Sequence, residues 1–247
     1  MKKIATVALF IIIIISCFGA VKNNSENIDK FVEHGINYLT HDSFRMELKN
    51  KIIYIDPINI PDGAKTADII LISHQHKDHM QIESINKISN SNTIIVAPIT
   101  VEAELKDKVA GKIKRVLPWE KIVVYGINIE TVPAYNLKNE KLKFHPKKEG
   151  YLGYIINNNG IRIYFSGDTD VIPEMKKIKC DIALLPVSGV YVMDYKEASE
   201  AVKMLKPKVV IPMHYGVFAG KDEDAENFKK IVENKNTKVI IKQRENY

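Results

Sequence analysis

Three histidines and an aspartate fall within the six residues His74-Gln75-His76-Lys77-Asp78-His79. In extended backbone, residues i and i+2 project to the same side, so His74 and His76 can reach one cation together. The chain then turns, and the adjacent Asp78 and His79 can address a second ion. Imidazole and carboxylate suit Zn2+. Without a cation, so many titratable groups beside a buried strand would repel one another and lose their solvation. Two later segments have the same character. Tyr164-Phe165-Ser166-Gly167-Asp168-Thr169 sets a carboxylate at the end of an apolar run, and Ile211-Pro212-Met213-His214-Tyr215 sets a histidine at the end of another. A strand-end Asp is commonly a helix cap, and a lone His is commonly structural. Three strand ends that each present ligand-type residues favour the metal reading.

These ends need elements to position them. The run Ala67–Ser73 is apolar after Asp68, as a strand buried on both faces should be. Other strands are expected at Ile36–Leu39, Phe44–Leu48, Ile52–Ile55, Thr93–Ala97, Lys114–Leu117, Ile122–Tyr125, Ile127–Val132, Ile182–Leu185, Val209–Pro212 and Val239–Ile241. Tyr151–Ile156 and Ile161–Phe165 flank Asn157-Asn158-Asn159-Gly160, a hairpin signal. Helices are expected at Gln81–Ser89, Val101–Val109, Lys196–Leu205 and Asp224–Glu233; in the third, Ala198, Ala201, Val202 and Leu205 form one stripe. Mixed meander and βα units without a long linker predict one α/β domain over residues 35–247, with helices outside a two-sheet core.

The set His74-x-His76-x-Asp78-His79, Gly167-Asp168-Thr169 and Pro212-Met213-His214-Tyr215 resembles the metallo-β-lactamase fold superfamily. Within it, Thr40-His41-Asp42-Ser43-Phe44 and Tyr54-Ile55-Asp56-Pro57 resemble the branch of L-ascorbate-6-phosphate lactonase and N-acylphosphatidylethanolamine phospholipase D. The resemblance implies a four-layer αββα sandwich with two Zn2+ ions at one edge of the sheets. It implies His74 and His76 on the first ion, Asp78, His79 and His214 on the second, and Asp168 between them. The family has one more histidine on the first ion, where this chain carries Asn136; an amide oxygen is a poor zinc ligand, so His145 is expected to serve instead. The implied activity is hydrolysis of an ester, lactone, amide or phosphodiester of a small molecule, anionic or neutral, by a metal-activated hydroxide, with Asp78 handling the proton. Asp56 and Asp170 are candidates to orient imidazoles, against ordinary turn or cap roles; the family segment suggests that His41 lines the pocket, against a strand-end surface position; Tyr191 and Met193 line the substrate side or pack in core or loop; and Cys180 reads as a buried apolar residue without a role in the site.

At the N-terminus, Lys2-Lys3 precede an apolar run from Ile4 to Ile15 that ends in Ile-Ile-Ser-Cys17. This reads as a signal peptide over residues 1–21 with a lipobox-like Cys17, hence an exported chain held to a membrane by a lipid or an N-terminal anchor. Residues 22–34 read as a linker, polar over 22–29. The whole chain has 247 residues, 45% hydrophobic and 27% charged, which excludes a disordered or collagen-like protein. Two cysteines exclude a disulfide framework. The net charge of +6 is scattered, and the basic runs Lys138–Lys148 and Lys106–Arg115 read as solvated faces, so no nucleic-acid partner is expected. The alternative to a hydrolase is a non-catalytic metal-binding lipoprotein on the same fold, for which Asn136 is the best support.

Overall fold

The computed structural model describes residues 26–245. The chain forms two units, 1–36 and 37–247. In the first, residues 26–35 are helical (α1). This corrects the expected linker: Ile28 and Val32 are an i, i+4 apolar pair inside a polar run, and composition hides so narrow a stripe. Cys17 and the signal-like segment lie outside the described residues. Among the described residues, no helix is long and apolar enough to cross a membrane.

Among the described residues, thirteen strands form two sheets. The first runs β1 (Ile36–Thr40), β2 (Ser43–Leu48), β3 (Lys51–Ile55), β4 (Ile69–Leu71), β5 (Ile94–Ala97) and β6 (Lys112–Arg115), neighbours in that order. The second holds β7 (Lys121–Val124), β8 (Ile127–Pro133), β9 (Leu152–Asn158), β10 (Ile161–Phe165), β11 (Ile182–Pro186), β12 (Val209–Met213) and β13 (Lys238–Val239) in sequential order. Each sheet changes from antiparallel to parallel pairing part-way, the first at β3 and the second at β10. The hairpin between β9 and β10 closes on Asn159-Gly160, both at positive φ, as a two-residue turn that matches strand twist requires.

The apolar runs decide the layering. In β4 all three residues are buried, as a strand covered on both faces must be. On one side, Ile70 joins Ile85 and Ile88 of α2 (Ile82–Ile88) and Val101 and Leu105 of α3 (Ile99–Leu105). On the other the sheets meet: Tyr154 Oη on β9 donates to the Ile72 and Val96 carbonyls, and Phe44 of β2 packs edge-on to Phe165 of β10. Two further helices, α4 (Tyr195–Leu205) and α5 (Asp222–Val232), cover the second sheet along β11, β12 and β13. Asp194 caps α4 by accepting from the Lys196 and Glu197 amides, while Glu197 accepts from the Asp194 amide, a reciprocal capping box. Its Ala198, Ala201, Val202 and Leu205 stripe is buried. The four layers αββα are those expected.

Most strands lie within a residue or two of their expected bounds. Ala67–Ser73 is shorter as a strand, because Ser73 and the residues after it leave the ladder to enter the site. Two 3₁₀ turns, Lys147–Glu149 and Pro173–Lys177, carry no periodicity and are new.

Gly167 shows how tightly the strand ends are packed. Its φ is +61°, and a Cβ there would stand 2.7 Å from the Leu152 carbonyl oxygen. Gly167→Ala is expected to lower stability by about 2 kcal/mol, from the left-handed conformation and the clash together. Thermal unfolding should then show a midpoint about 4–8 °C lower. An unchanged midpoint would mean that β9 yields freely.

Candidate metal centre

The centre gathers at the C-terminal ends of seven strands, where the chain leaves each ladder with its polar groups still to be placed. His41 follows β1, Asp56 follows β3, and Ser73 to His79 follow β4. From the second sheet come Asn136 and His145 after β8, Asp168 after β10, Ser188 after β11 and His214 after β12. All seven residues expected as ligands are brought together. One group holds donor atoms of His74, His76 and His145, and others hold His41, Asp78, His79 and His214, and Asp42, His79, Asp168 and His214.

The separations fit a shared cation. Two ligands of one tetrahedral Zn2+ at 2.0–2.1 Å stand roughly 3.3 Å apart. Here His74 Nε2 and His76 Nδ1 are 3.0 Å apart. Asp168 Oδ2 lies 3.2 Å from His145 Nε2 and 3.3 Å from His214 Nε2, and its Oδ1 lies 3.4 Å from His79 Nε2. His41 Nε2 is 3.4 Å from Asp78 Oδ2. Asp168 therefore touches imidazoles of both groups, the position of a bridge.

A second test is chemical. The Nε2 atoms of His41, His79, His145 and His214, with Asp168 Oδ1, are buried and have no hydrogen-bond partner. Buried donors and acceptors are ordinarily satisfied, at a cost of about 1–3 kcal/mol each when they are not. Five orphans facing one another are the signature of a cation site, and the residues fit the metals that the sequence implies.

What aims them lies behind. Asp56 Oδ1 accepts from the Ser73 amide at 2.7 Å, and its Oδ2 accepts from Ser73 Oγ at 2.5 Å and from His79 Nδ1 at 2.9 Å. Since the Ser73 hydroxyl proton goes to Asp56, Ser73 Oγ accepts from His74 Nδ1 at 2.9 Å. His74 is thus fixed with Nδ1 protonated and Nε2 bare, the tautomer a metal needs, and the His79 ring is oriented with Nδ1 on Asp56 and Nε2 toward the centre. His145 Nδ1 donates to Asn136 Oδ1 at 2.8 Å, and Ser188 Oγ lies 3.0 Å from His214 Nδ1.

The expected orienting role of Asp56 is therefore present, and that of Asp170 is corrected. Asp170 Oδ2 accepts from the Leu137 and Lys138 amides and holds the loop that carries Asn136. Met193 is fully buried and lines nothing, whereas Tyr191 is exposed. His41 is not at the surface: it is buried among the donors, its ring 4.1 Å from that of His214. Cys180 is half-buried away from the centre, and burial pushes its thiol up to about 12. Ser73, Ser188 and Asp42 were missed. Ser73 stands beside His74 in the sequence and was within reach of the motif; Ser188 has no local signal.

Charge states follow from burial and neighbours. Burial lowers His41 to about 4, although Asp78 pulls the other way. Burial likewise holds His74 well below the ordinary imidazole value and lowers His76, leaving their lone pairs available. Burial also opposes charge on His79, but Asp168 and Asp56 outweigh it and raise the ring well above its usual value. Burial and the Asp168 charge raise Asp42, so its buried carboxyl keeps a proton more readily. Three of these residues, His41, Asp56 and His214, have φ between +43° and +56°, the left-handed region that non-glycine residues seldom adopt and that collects at functional sites.

Comparison with known proteins agrees. Residues 35–214 match the beta-lactamase superfamily domain. The chain is 33% identical over 221 residues to a UPF0173 metal-dependent hydrolase of Pyrococcus abyssi, covering 84% of this chain and 96% of that protein. This chain belongs to the metallo-β-lactamase superfamily. Its UPF0173 relatives include a protein of Thermococcus onnurineus, 32% identical over 84% of this chain and 96% of that one. Among solved structures, a candidate metal-dependent hydrolase of Parabacteroides distasonis is 33% identical, with a TM-score of 0.76 over 85% of this chain and 93% of that one. Igni18, a metallo hydrolase of Ignicoccus hospitalis, is 27% identical with a TM-score of 0.69, over 84% of this chain and 94% of that one. The segments Thr40–Phe44 and Tyr54–Pro57 deliver His41, Asp42 and Asp56.

In the metal-free protein, the His41 ring protons are expected to titrate near pH 4 by NMR. Asp78 holds that value up, so Asp78→Asn should move it further down; no movement would show that the carboxylate does not reach the ring.

Proposed function

We propose that the protein is a two-zinc hydrolase cutting an ester, lactone, amide or phosphodiester bond of a small molecule. In this reading His74, His76 and His145 hold the first ion, Asp78, His79 and His214 hold the second, and Asp168 is shared. His41 stands as a further donor to the second group. The set of buried, unpartnered Nε2 atoms around Asp168 carries the reading. Zinc is favoured because the donors are imidazole and carboxylate.

Bound cations of this kind lower the pKa of water from about 15.7 toward about 7 and offset negative charge on the attacked group. The chain's own residues supply the rest. Asp56 and Ser73 keep His74 in one tautomer and His79 in one orientation. The buried walls exclude bulk water, which strengthens every charge interaction inside. Asp78 is part-exposed, and its own burial is outweighed by His41 and His79, which lower its pKa. It therefore meets substrate ionised, beside the open face, where it can take up a proton. The alternative of a non-catalytic metal-binding protein drew on Asn136 as a defective ligand. Asn136 instead backs His145, so the donor set does not depend on it. We further place the enzyme outside the cytoplasm, held to a membrane through Cys17, on the signal-like pattern of residues 1–21.

Elemental analysis of the purified protein tests this. Wild type should hold two zinc ions and turn over at least one member of an ester, lactone, amide and phosphodiester panel. His145→Ala should lose about one ion. Asn136→Ala should keep both, with the first bound about 10–100-fold more weakly, as expected when a partner behind a ligand is removed. Two tightly held ions in His145→Ala would overturn the ligand assignment, and bound zinc without turnover on any substrate would return the binding-protein reading.

A further inference from the structure

Half of the exposed large apolar side chains among the described residues sit on three loops of the second sheet, and each loop also carries a residue of the metal centre. The loop after β8 holds Leu137 and Leu142, with the half-buried Phe144 next to His145. The loop after β11 holds Val190 and Tyr191 next to Ser188. The loop after β12 holds Val217 and Phe218 next to His214. Phe218 is 51% exposed, yet its ring stands 5.2 Å from the His41 ring, at the edge of the donors. Phe144 and Tyr191 have ring centroids 4.2 Å apart. A Cβ on Gly220 would lie 2.5 Å from Ser188 Cβ, so the last two loops are in direct contact. The apolar groups thus form one rim continuous with the centre, not scattered surface residues.

Two observations favour a ligand on this rim. Contiguous exposed apolar surface usually marks a binding site, and Tyr191 is held at φ +64°, a conformation a bulky residue rarely adopts. Three lysines of the loop after β8 are paired with carboxylates, and a fourth, Lys143, lies over the Phe144 ring at 4.9 Å, where its stem adds to the apolar surface. Lys138 and Lys141 face Glu197, Lys141 also faces Asp170, and Lys147 pairs with Glu174 at 2.8 Å. A ligand here is chosen by apolar area.

Resting on the two-zinc reading above, we propose that the substrate is a carboxylic ester, lactone or amide with an apolar acyl chain, and that the chain lies across Phe218, Val217, Tyr191, Val190 and Phe144. Phe144 precedes His145 directly, and the Phe218 ring stands 5.2 Å from that of His41, so a chain attached at the reacting carbon runs straight onto the rim.

The probe is the product class. Straight-chain carboxylates from butyrate to decanoate are titrated into the zinc-loaded protein by calorimetry, for wild type and for the double variant Phe218→Ser/Tyr191→Ser, with zinc content measured in each sample. Full burial of a methylene gives about a fourfold gain in affinity. Partial burial on an open rim should give roughly two- to fourfold per methylene in wild type, and under 1.5-fold in the variant, with zinc content unchanged. A flat series in wild type with zinc bound overturns the acyl-chain proposal and leaves the hydrolase reading standing. A flat series with adsorption to phosphatidylcholine vesicles assigns the rim to a membrane surface and overturns it equally. Wild type that binds no zinc overturns the hydrolase reading, and the proposal with it.

Discussion

The hydrogen bonds of one buried carboxylate, Asp56, underlie the geometry of the centre. It receives protons from the Ser73 amide, the Ser73 hydroxyl and His79 Nδ1, and through Ser73 it also sets His74. A carboxylate accepts and does not donate when ionised. Both imidazoles must therefore turn Nδ1 away from the centre and Nε2 toward it. The same contacts fasten the end of β3 to the end of β4, since the Asp56 amide also donates to the Leu71 carbonyl. Burial raises the Asp56 carboxyl above its ordinary value, and the His79 and Ser73 hydrogen bonds oppose that rise without removing it. The sheet edge and the direction of two lone pairs are thus fixed by one interaction.

The other half of the centre is tied from the far end of the chain. His214 donates its amide to the His41 carbonyl, which also accepts from Tyr38 Oη. Next to it, Arg244 donates to the Tyr215 carbonyl and to Asp222, and lies over the rings of Tyr215 and Tyr38. Glu245 continues this seam, accepting from Asn37 and Arg45, while its amide donates to the Tyr38 carbonyl. The segment after β13 therefore pairs with β1 of the opposite sheet and draws the two sheets together where His41 and His214 meet. Gly216 holds φ +73° in this seam, a conformation that favours glycine, and a Cβ there would push aside the ends of the Asp222 and Arg244 side chains. These residues lie beyond the 35–214 stretch that carries the family match, yet they help position its last histidine.

Much of this was legible from residue types alone. Apolar runs mark strands because a buried strand has little alternative to being apolar, and nearly every run is found in place. The ligand motifs were legible because several titratable groups in a few residues conflict with burial unless they share a cation. Choosing His145 over Asn136 followed from donor chemistry, but the contact between the two was not visible, since they stand nine positions apart along an irregular loop. Ser188 and Asp42 were invisible for the same reason: a hydroxyl or carboxyl aimed by tertiary structure has no period. Asp170 was assigned to the wrong task because proximity in sequence to Asp168 says nothing about direction; successive residues on an extended segment point to opposite sides. Helix α1 was hidden by composition, its two apolar residues too few to outweigh the polar ones.

Three site residues adopt left-handed backbone and several donors are buried without partners, and both features oppose folding. Such costs persist only where the surroundings over-determine them. Here the surroundings are rigid: β3, β4, β10, β11 and β12 are buried along most of their length, and His41 and His214 stand one residue beyond the ends of β1 and β12. A cation bound by these donors would remove the unsatisfied groups at a stroke, so its binding free energy adds to stability as well as to chemistry. The same arithmetic explains why the apolar rim lies on loops and not on strands. The donors need fixed positions within a few tenths of an ångström, which the sheets provide. An apolar group needs only area, and loops that carry one site residue each can present that area without disturbing the donors beneath.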